Sequence, residues 1–242
     1  MNKSAPEIII ALDTSSREKA LKLAQEIRPA TTWVKIGLEL FTACGPDIVR
    51  DLKIMDYKVF LDLKLMDIPN TVNRALLNCL DLGADMLTLH LLGGKKMIES
   101  ARESRDKNKG SQEHKPLLVG VTLLTSLNQE DLPWDEPKDL SQIVLDLAAK
   151  ARNWGTDGVV CSGLEASGIR KLVDPDFCLV TPGIRTNTEQ QDQKRTVTPK
   201  QAWDAGATHL VLGRAVTQAE NPCQAVMDIK NELSSPPRGA NV

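Results

Sequence analysis

The 242-residue sequence lacks the features that mark nucleic-acid-binding and membrane proteins. Its 30 basic and 32 acidic side chains leave a net charge of −2, so no basic excess points to nucleic acid as a partner. No apolar run approaches the roughly 20 residues that a membrane-spanning helix requires, so no membrane partner is expected. No cluster of His, Cys and carboxylate residues predicts a metal site. What remains is the composition of a soluble globular enzyme, 41% hydrophobic and 26% charged.

Cysteine spacing and the N-terminal stretch bear on the cellular compartment. The five cysteines are widely spaced, form no CxxC pair and are odd in number. The stretch MNKSAPEIIIALD contains neither the apolar region nor the small-residue cleavage site of a secretory signal. We therefore predict a cytoplasmic protein whose cysteines are reduced and serve as small buried apolar residues.

Short apolar runs alternate with amphipathic stretches along the chain. The apolar runs predict eight strands, at residues 7–13, 33–40, 58–64, 86–90, 116–124, 158–162, 178–184 and 209–216. The amphipathic stretches predict helices at residues 15–27, 45–54, 70–82, 94–106, 139–154, 165–173, 199–205 and 222–233.

This alternation predicts a parallel sheet, and units of about 30 residues have the size of the repeat in a closed barrel. We therefore predict an α/β protein with a single (β/α)8 TIM barrel domain over residues 1–233. An open doubly wound sheet is the alternative, but it rarely needs eight strands, and no GxGxxG motif opens the first unit. Residues 107–115 are predicted to form a polar insertion, and residues 234–242 a disordered tail.

The third predicted strand contains charges that a buried strand should not contain. In VFLDLKLMDIPN, Asp62 and Lys64 interrupt an apolar run, and Asp67 follows it. A period of two places Asp62 and Lys64 on the same face as Phe60, which is the barrel interior. Lys35 lies within the second strand, and further polar residues follow the ends of other strands: Asp13, Thr125, Ser126, Arg185, Gly213 and Arg214. Because barrel enzymes build their sites at the carboxyl ends of strands, we predict that these residues converge on one mouth.

Some of these residues have structural explanations when each is considered alone. Asp62 and Lys64 could form a buried ion pair, although desolvation makes such pairs a poor source of stability. Lys35 and Asp67 extend the pair into an alternating network of two ammoniums and two carboxylates, which favours a functional site. Asp13 could instead cap the helix that follows it, and Arg214 could be a solvated residue after a strand.

The last two units carry a pattern typical of phosphate binding. Gly213 allows a close backbone approach, Arg214 offers a bidentate guanidinium, and a nearby helix N-terminus supplies oriented dipoles. The loops after strands seven and eight form the usual phosphate site of a barrel. The long polar segment 185–199 between them is predicted to be a lid over a bound phosphate; an ordinary solvated loop is the alternative.

Together, these motifs resemble the orotidine 5′-phosphate decarboxylase family. The most specific block is DLKLMDIPNT, which contains Asp62, Lys64, Asp67 and Thr71. Other similar motifs occur in the family's order: ALD with Asp13, VKIG with Lys35, VTLLTS with Thr125, TPGIR with Arg185, DQ with Gln193, and LGRAVT with Gly213 and Arg214. The resemblance runs from residue 7 to about residue 217, without a departure at any motif position.

The resemblance implies decarboxylation of orotidine 5′-monophosphate to uridine 5′-monophosphate in pyrimidine biosynthesis, with neither a metal nor an organic cofactor. It also implies a homodimer whose active sites lie at the subunit interface. Asp67 and Thr71 would reach into the partner's site, whereas Lys35, Asp62 and Lys64 would act within their own chain.

The chemistry of that reaction suggests a role for each residue. Loss of CO₂ from C6 leaves an electron pair in the ring plane, so only electrostatics and a proton donor can help. Lys64 is expected to stabilise the carbanion and protonate C6, held by Asp62 and Asp67. The other contacts expected are Lys35 and Asp13 at the ribose, Thr125 or Ser126 at the pyrimidine, and Arg185, Gln193 and Arg214 at the 5′-phosphate.

Two other functions stay open at the level of sequence. The related 3-keto-L-gulonate 6-phosphate decarboxylases and hexulose-phosphate synthases share an Asp-x-Lys-x-x-Asp motif and use Mg²⁺. They carry a metal-binding glutamate on strand two, where this chain has Lys35, whose ammonium would repel a cation. The second alternative is a phosphoribosyl-ligand binding protein without catalysis. The complete set of Lys35, Asp62, Lys64 and Asp67 argues against it, because binding alone does not require such a network.

Overall fold

The computed structural model forms a closed barrel of eight parallel strands, each paired with the next, and the last with the first. It describes residues 5–108, 115–132, 139–185 and 197–234. The predicted (β/α)8 barrel is confirmed. Its strands are β1 (Glu7–Ala11), β2 (Trp33–Gly37), β3 (Lys58–Leu65), β4 (Met86–His90), β5 (Leu117–Val121), β6 (Gly158–Val160), β7 (Cys178–Thr181) and β8 (His209–Leu212).

Helices connect successive strands and surround the barrel. They are α1 (Arg17–Ile27), α2 (Leu38–Cys44), α3 (Asp47–Ile54), α4 (Pro69–Asp81), α5 (Lys95–Lys107), α6 (Leu140–Trp154), α7 (Ala166–Arg170), α8 (Pro199–Asp204), α9 (Arg214–Thr217) and α10 (Pro222–Ser234). Short 3-10 helices occupy Leu91–Gly93 and Gln129–Asp131. Helix α10 includes Ser234, the first residue of the predicted tail.

Local sequence accounts for where several helices begin and end. The Ser16 side chain accepts a hydrogen bond from Lys19 N–H at the start of α1. Thr198 and Gln201 form a reciprocal capping box at the start of α8. Helix α6 ends at Gly155, whose φ of 87° lies in the left-handed region that glycine adopts most readily.

Six predicted strands, the first, second and fifth to eighth, extend too far at their carboxyl ends, and in two of them the excess residues begin a helix. The second ends at Gly37 instead of residue 40, and α2 begins immediately after it. The eighth ends at Leu212 instead of residue 216, and α9 follows. Leu40 and Val216 are fully buried in these helices. A short apolar run cannot distinguish a buried helical turn from a continued strand, which is why the prediction was wrong.

The apolar core has two layers separated by the sheet. The larger layer lies between the strands and the surrounding helices. The smaller layer fills the barrel and comprises Ile9, Ala11, Trp33, Phe60, Met86, Val119, Val180 and Val211. The barrel interior is therefore a packed apolar plug.

Several predictions concern residues that lie outside the described ranges. These are residues 109–114 of the insertion, residues 186–196 of the predicted lid, Gln193 among them, and residues 235–242 of the tail. The domain limits 1–233 stay a prediction. Within the described part of the chain, no helix is long and apolar enough to cross a membrane.

The cysteines are all free thiols, and two of them, Cys79 and Cys161, are buried. Burial raises the pKa of Cys79 to about 11 and that of Cys161 to about 12. These two behave as the sequence predicts for buried apolar residues. The other three, Cys44, Cys178 and Cys223, are only half-buried, which the sequence did not anticipate.

His209 lies in the barrel wall and is buried, with its ring edge-on to Trp33 at a centroid distance of 6.0 Å. Burial, with a smaller contribution from the Lys58 ammonium, lowers the pKa of His209 from 6.5 to about 4. The folded protein therefore keeps this imidazole neutral at pH values where the unfolded chain protonates it. Stability from this source is complete above pH 6.5 and is lost as the pH falls towards 4.

We expect His209→Phe to remove this part of the pH dependence of stability. It corresponds to ~3 kcal/mol of unfolding free energy between the two pKa values. Urea unfolding at pH 7 and at pH 4.5 measures it. The drop in unfolding free energy should be larger for the wild type than for the variant. Carboxylate titration contributes equally to both proteins and cancels in the comparison. Equal drops would show that folding does not lower the pKa of His209.

Candidate active site

The carboxyl ends of the strands surround a cavity of about 360 Å³. Its floor is the top of the apolar plug, including Phe60, Val180 and Val211. This volume lies in the range of small-molecule sites. The structure brings eight of the predicted site residues to its wall: Asp13, Lys35, Asp62, Lys64, Thr125, Arg185, Gly213 and Arg214.

Four side chains form a continuous row of alternating charge along the cavity wall. Lys35 Nζ lies 3.2 Å from Asp13 Oδ1 and 3.8 Å from Asp62 Oδ2. Lys64 Nζ donates to both carboxylate oxygens of Asp62, at 2.9 Å each. The side chains of Lys35 and Asp62 are only 12% and 13% exposed, so this charge is concentrated away from bulk water. The row contains Lys35, Asp62 and Lys64 of the network expected from the sequence, with the exposed Asp13 in place of Asp67.

The two cavity carboxylates, Asp13 and Asp62, are thus both already paired with lysines. In the ranges that the structure describes, no three His, Cys, Asp or Glu side chains are grouped as a metal site would require.

Strand β3 departs from regular geometry where its charges lie. Its register against β4 shifts between Leu61 and Leu65. Lys64 has a φ of 51°, in the left-handed region that residues with a side chain seldom adopt. Its N–H donates to Thr88 Oγ1 at 2.8 Å instead of to a strand carbonyl. The regular alternation of a strand predicted that Asp62 and Lys64 lie on one face. They do, but an irregular backbone brings them there.

Asp67 and Thr71 lie outside the cavity of their own chain. Both are exposed, and Asp67 Oδ1 accepts a hydrogen bond from the neighbouring Ile68 N–H at 2.7 Å. The flanking apolar side chains are also exposed, Met66 by 54% and Ile68 by 67%. Within one chain, the lysine–carboxylate row therefore ends at Lys64.

The loop after β5 contains Thr125 and Ser126, between which the sequence left the choice open. Thr125 and Ser126 occupy a turn closed by a hydrogen bond from Leu127 N–H to the Leu124 carbonyl, at 3.0 Å. Thr125 is half-buried and lines the cavity, whereas Ser126 is exposed and does not line it. Of the two, Thr125 is the residue placed to contact a ligand.

Two arginines line the cavity after β7 and β8. Ile184 and Val197 form a β-bridge, and Arg185 N–H donates to the Val197 carbonyl at 3.0 Å. The two ends of the segment 186–196 are thereby held together beside the cavity. Arg214 begins α9 directly after Gly213, and both residues line the cavity. In the closed barrel, β7 lies four strands from β3, the strand of Lys64, and β8 lies three strands from it.

The sequence reasoning missed two residues of β4. Thr88 is fully buried and bridges Lys64 and Asp62, since its hydroxyl also donates to Asp62 Oδ1 at 3.0 Å. His90 ends the strand, and burial together with the nearby Lys64 ammonium lowers its pKa. The available signal was the two polar residues in MLTLH. Threonine is common in strands, however, so the signal was weak.

Comparison with known proteins adds the relationship that this geometry suggests. A family model described as Orotidine 5′-phosphate decarboxylase / HUMPS family matches residues 6–229. The orotidine 5′-phosphate decarboxylase of Maridesulfovibrio salexigens is 46% identical over 229 residues, 95% of this chain and 99% of that protein. The corresponding protein of Pseudomonas fluorescens strain Pf0-1 is 45% identical over 239 residues, 97% of this chain and 100% of that protein.

A solved structure agrees in fold as well as in sequence. The crystal structure of orotidine 5′-phosphate decarboxylase from Lactobacillus acidophilus superimposes with a TM-score of 0.84 at 36% identity. The match covers 96% of this chain and all of that one. Barrel, charge row and relatives together define a (β/α)8 barrel enzyme. The chain belongs to the orotidine 5′-phosphate decarboxylase / HUMPS family.

Proposed function

We propose that this chain decarboxylates orotidine 5′-monophosphate to uridine 5′-monophosphate, a step of pyrimidine biosynthesis, in the cytoplasm. The observation that carries the proposal is the row Asp13–Lys35–Asp62–Lys64 at the barrel mouth. Two arginines, Arg185 and Arg214, line the same cavity of about 360 Å³. Relatives named orotidine 5′-phosphate decarboxylase, 42–46% identical over nearly the whole chain, support the choice of reaction.

The chemical step assigned to this site requires a cation next to C6 of the pyrimidine. The bond from C6 to the carboxylate breaks, CO₂ leaves, and the electron pair stays on C6. Lys64 stabilises this carbanion and then transfers a proton to C6, leaving a neutral amine that solvent reprotonates. Asp62 holds the ammonium with two contacts of 2.9 Å, so little reorganisation is needed as the charge develops.

The remaining cavity residues suit the rest of the nucleotide. Asp13 and Lys35 are assigned to the ribose hydroxyls, because they form the end of the charge row away from Lys64, and Asp13 lies beside Gly213, which precedes Arg214. Thr125 is assigned to the pyrimidine edge. Arg185 and Arg214, with Gln193, are assigned to the 5′-phosphate, whose binding energy can lower the barrier at the distant C6.

The exposed position of Asp67 supports a homodimer with shared sites. Asp67 and Thr71 lie outside the cavity of their own chain. Asp67 lies between Met66 and Ile68, whose apolar side chains are exposed, and Thr71 lies in the first turn of α4. Exposed apolar residues beside a functional motif are typical of an interface. A partner that covers this surface would receive Asp67 and Thr71 into its own site and complete the charge network.

The first test is to follow the absorbance of orotidine 5′-monophosphate with purified protein in EDTA. We expect full turnover, because the residue beside Asp62 on β2 is Lys35, whose ammonium would repel a divalent cation. Activity that is lost on chelation and restored by Mg²⁺ would favour the metal-dependent chemistry of the hexulose-phosphate synthases. Tight orotidylate binding without turnover would favour a binding protein instead.

Arg214→Ala should raise KM and lower kcat/KM by about 10- to 100-fold, because a charge-assisted contact with the phosphate is lost. Steady-state kinetics on orotidine 5′-monophosphate measures the effect. The control substrate is orotidine without its phosphate, on which variant and wild type should react equally slowly. Equal activity on the phosphorylated substrate would exclude Arg214 as a phosphate ligand.

Mixing Lys64→Ala with Asp67→Ala should restore activity that neither homodimer has. In the heterodimer, one site collects both substitutions, and the other combines native Lys64 with native Asp67 from the partner. An equal random mixture should regain roughly a quarter of the wild-type activity. The measurement is turnover after subunit exchange.

Heterodimer formation is verified separately, with different affinity tags on the two variants. Mixing Lys64→Ala with Asp62→Ala is the matched control, since both residues belong to one chain's site, and no activity should return. Verified Lys64→Ala/Asp67→Ala heterodimers without activity would mean that Lys64 and Asp67 serve the same site from the same chain.

A further inference from the structure

The break in pairing between β3 and β4 leaves one residue opposite three. Leu61 pairs with Leu87, and Leu65 pairs with Leu89. Between these pairs, β3 contains Asp62, Leu63 and Lys64, whereas β4 contains Thr88 alone. The extra residues form a bulge, and such irregularities re-aim side chains next to functional sites.

The bulge forces an unusual backbone on the residue assigned to proton transfer. Lys64 adopts a φ of 51°, and such conformations persist only where the surroundings hold them. The left-handed turn lets the Lys64 side chain fold back so that Nζ contacts both oxygens of Asp62, two residues earlier. The ion pair with Asp62 therefore depends on the left-handed backbone of Lys64.

Thr88 makes two hydrogen bonds that hold Lys64 and Asp62 in this geometry. Lys64 N–H donates to Thr88 Oγ1 at 2.8 Å, which leaves the single hydroxyl proton for Asp62 Oδ1 at 3.0 Å. Thr88 has no exposed surface, so its hydroxyl has little freedom to choose other partners. One hydroxyl thus fixes both the backbone of the lysine and the carboxylate that holds its ammonium.

We infer that Thr88 is a positioning residue of the reaction: through these two hydrogen bonds it sets where the Lys64 ammonium points. The inference rests on the proposed function, in which Lys64 stabilises and protonates C6. Thr88 does not line the cavity, so it would act on the chemical step through Lys64 and Asp62, and not on substrate binding.

The test is to remove the hydroxyl without changing the shape of the side chain. Thr88→Val should lower kcat by about 10- to 100-fold, as expected for lost bonds to a charged group. KM should change by less than about threefold, because Thr88 does not line the cavity and the arginines assigned to the phosphate follow β7 and β8. Thr88→Ser keeps the hydroxyl and should retain most of the wild-type kcat.

Thr122→Val is the matched control for general destabilisation. Thr122 is also a buried threonine of the barrel, and its hydroxyl donates to the Val160 carbonyl at 3.1 Å, away from the charge row. It should lose stability on thermal unfolding as Thr88→Val does, but keep its kcat. If both valine variants lost kcat equally, Thr88 would have only a structural role.

A crystal structure of Thr88→Val separates this inference from the proposed function. We expect Lys64 to leave its left-handed conformation or its Nζ to move away from Asp62, whether or not orotidine 5′-monophosphate proves to be the substrate. An unchanged Lys64 would overturn the inference. Absence of wild-type turnover would overturn the function alone. If Thr88→Val does not fold, Thr88→Ala compared with Thr88→Ser isolates the same hydroxyl, since both lack the methyl group.

Discussion

The bidentate contact between Lys64 and Asp62 is the interaction around which the site is organised. Two oxygens at 2.9 Å hold one ammonium in a partly buried position at the end of a barrel strand. Ion pairs of this kind contribute little to stability, because desolvation offsets the Coulomb attraction. The pair nevertheless requires a broken strand ladder, a left-handed lysine and a buried threonine hydroxyl, and these costs fit a functional role better than a structural one.

The apolar plug beneath the cavity gives these charges their effect. Phe60 and its neighbours fill the barrel, so the row of Asp13, Lys35, Asp62 and Lys64 rests on a floor of low polarity. Charges in such surroundings act more strongly on a bound ligand than they would in water. The same burial keeps His209 uncharged in the barrel wall. The barrel thus provides rigid support and a weakly screened electrostatic environment together.

Membership in the family narrows the chemistry without deciding it, because the family includes both orotidylate decarboxylases and HUMPS proteins. Lys35 on β2 is the residue on which the proposed choice between the two rests. Its ammonium lies 3.8 Å from Asp62 and 3.2 Å from Asp13, so it would repel a divalent cation bound between these carboxylates. Asp67 is exposed on its own chain, and the proposed function therefore assigns it to the site of a second subunit.

The sequence by itself determined the eight alternating units, the closed barrel and the convergence of most charged residues on one mouth. Apolar periodicity and the rule that barrel sites lie at strand ends depend only on local pattern. The sequence could not determine that β2 and β8 end early, that the backbone of Lys64 is left-handed, or that Thr88 makes hydrogen bonds with both Lys64 and Asp62. Those features arise from pairing between strands distant in the chain. Only the tertiary structure decided that Thr125 faces the cavity while Asp67 and Thr71 do not, because which way a loop residue faces depends on what the assembled barrel leaves open.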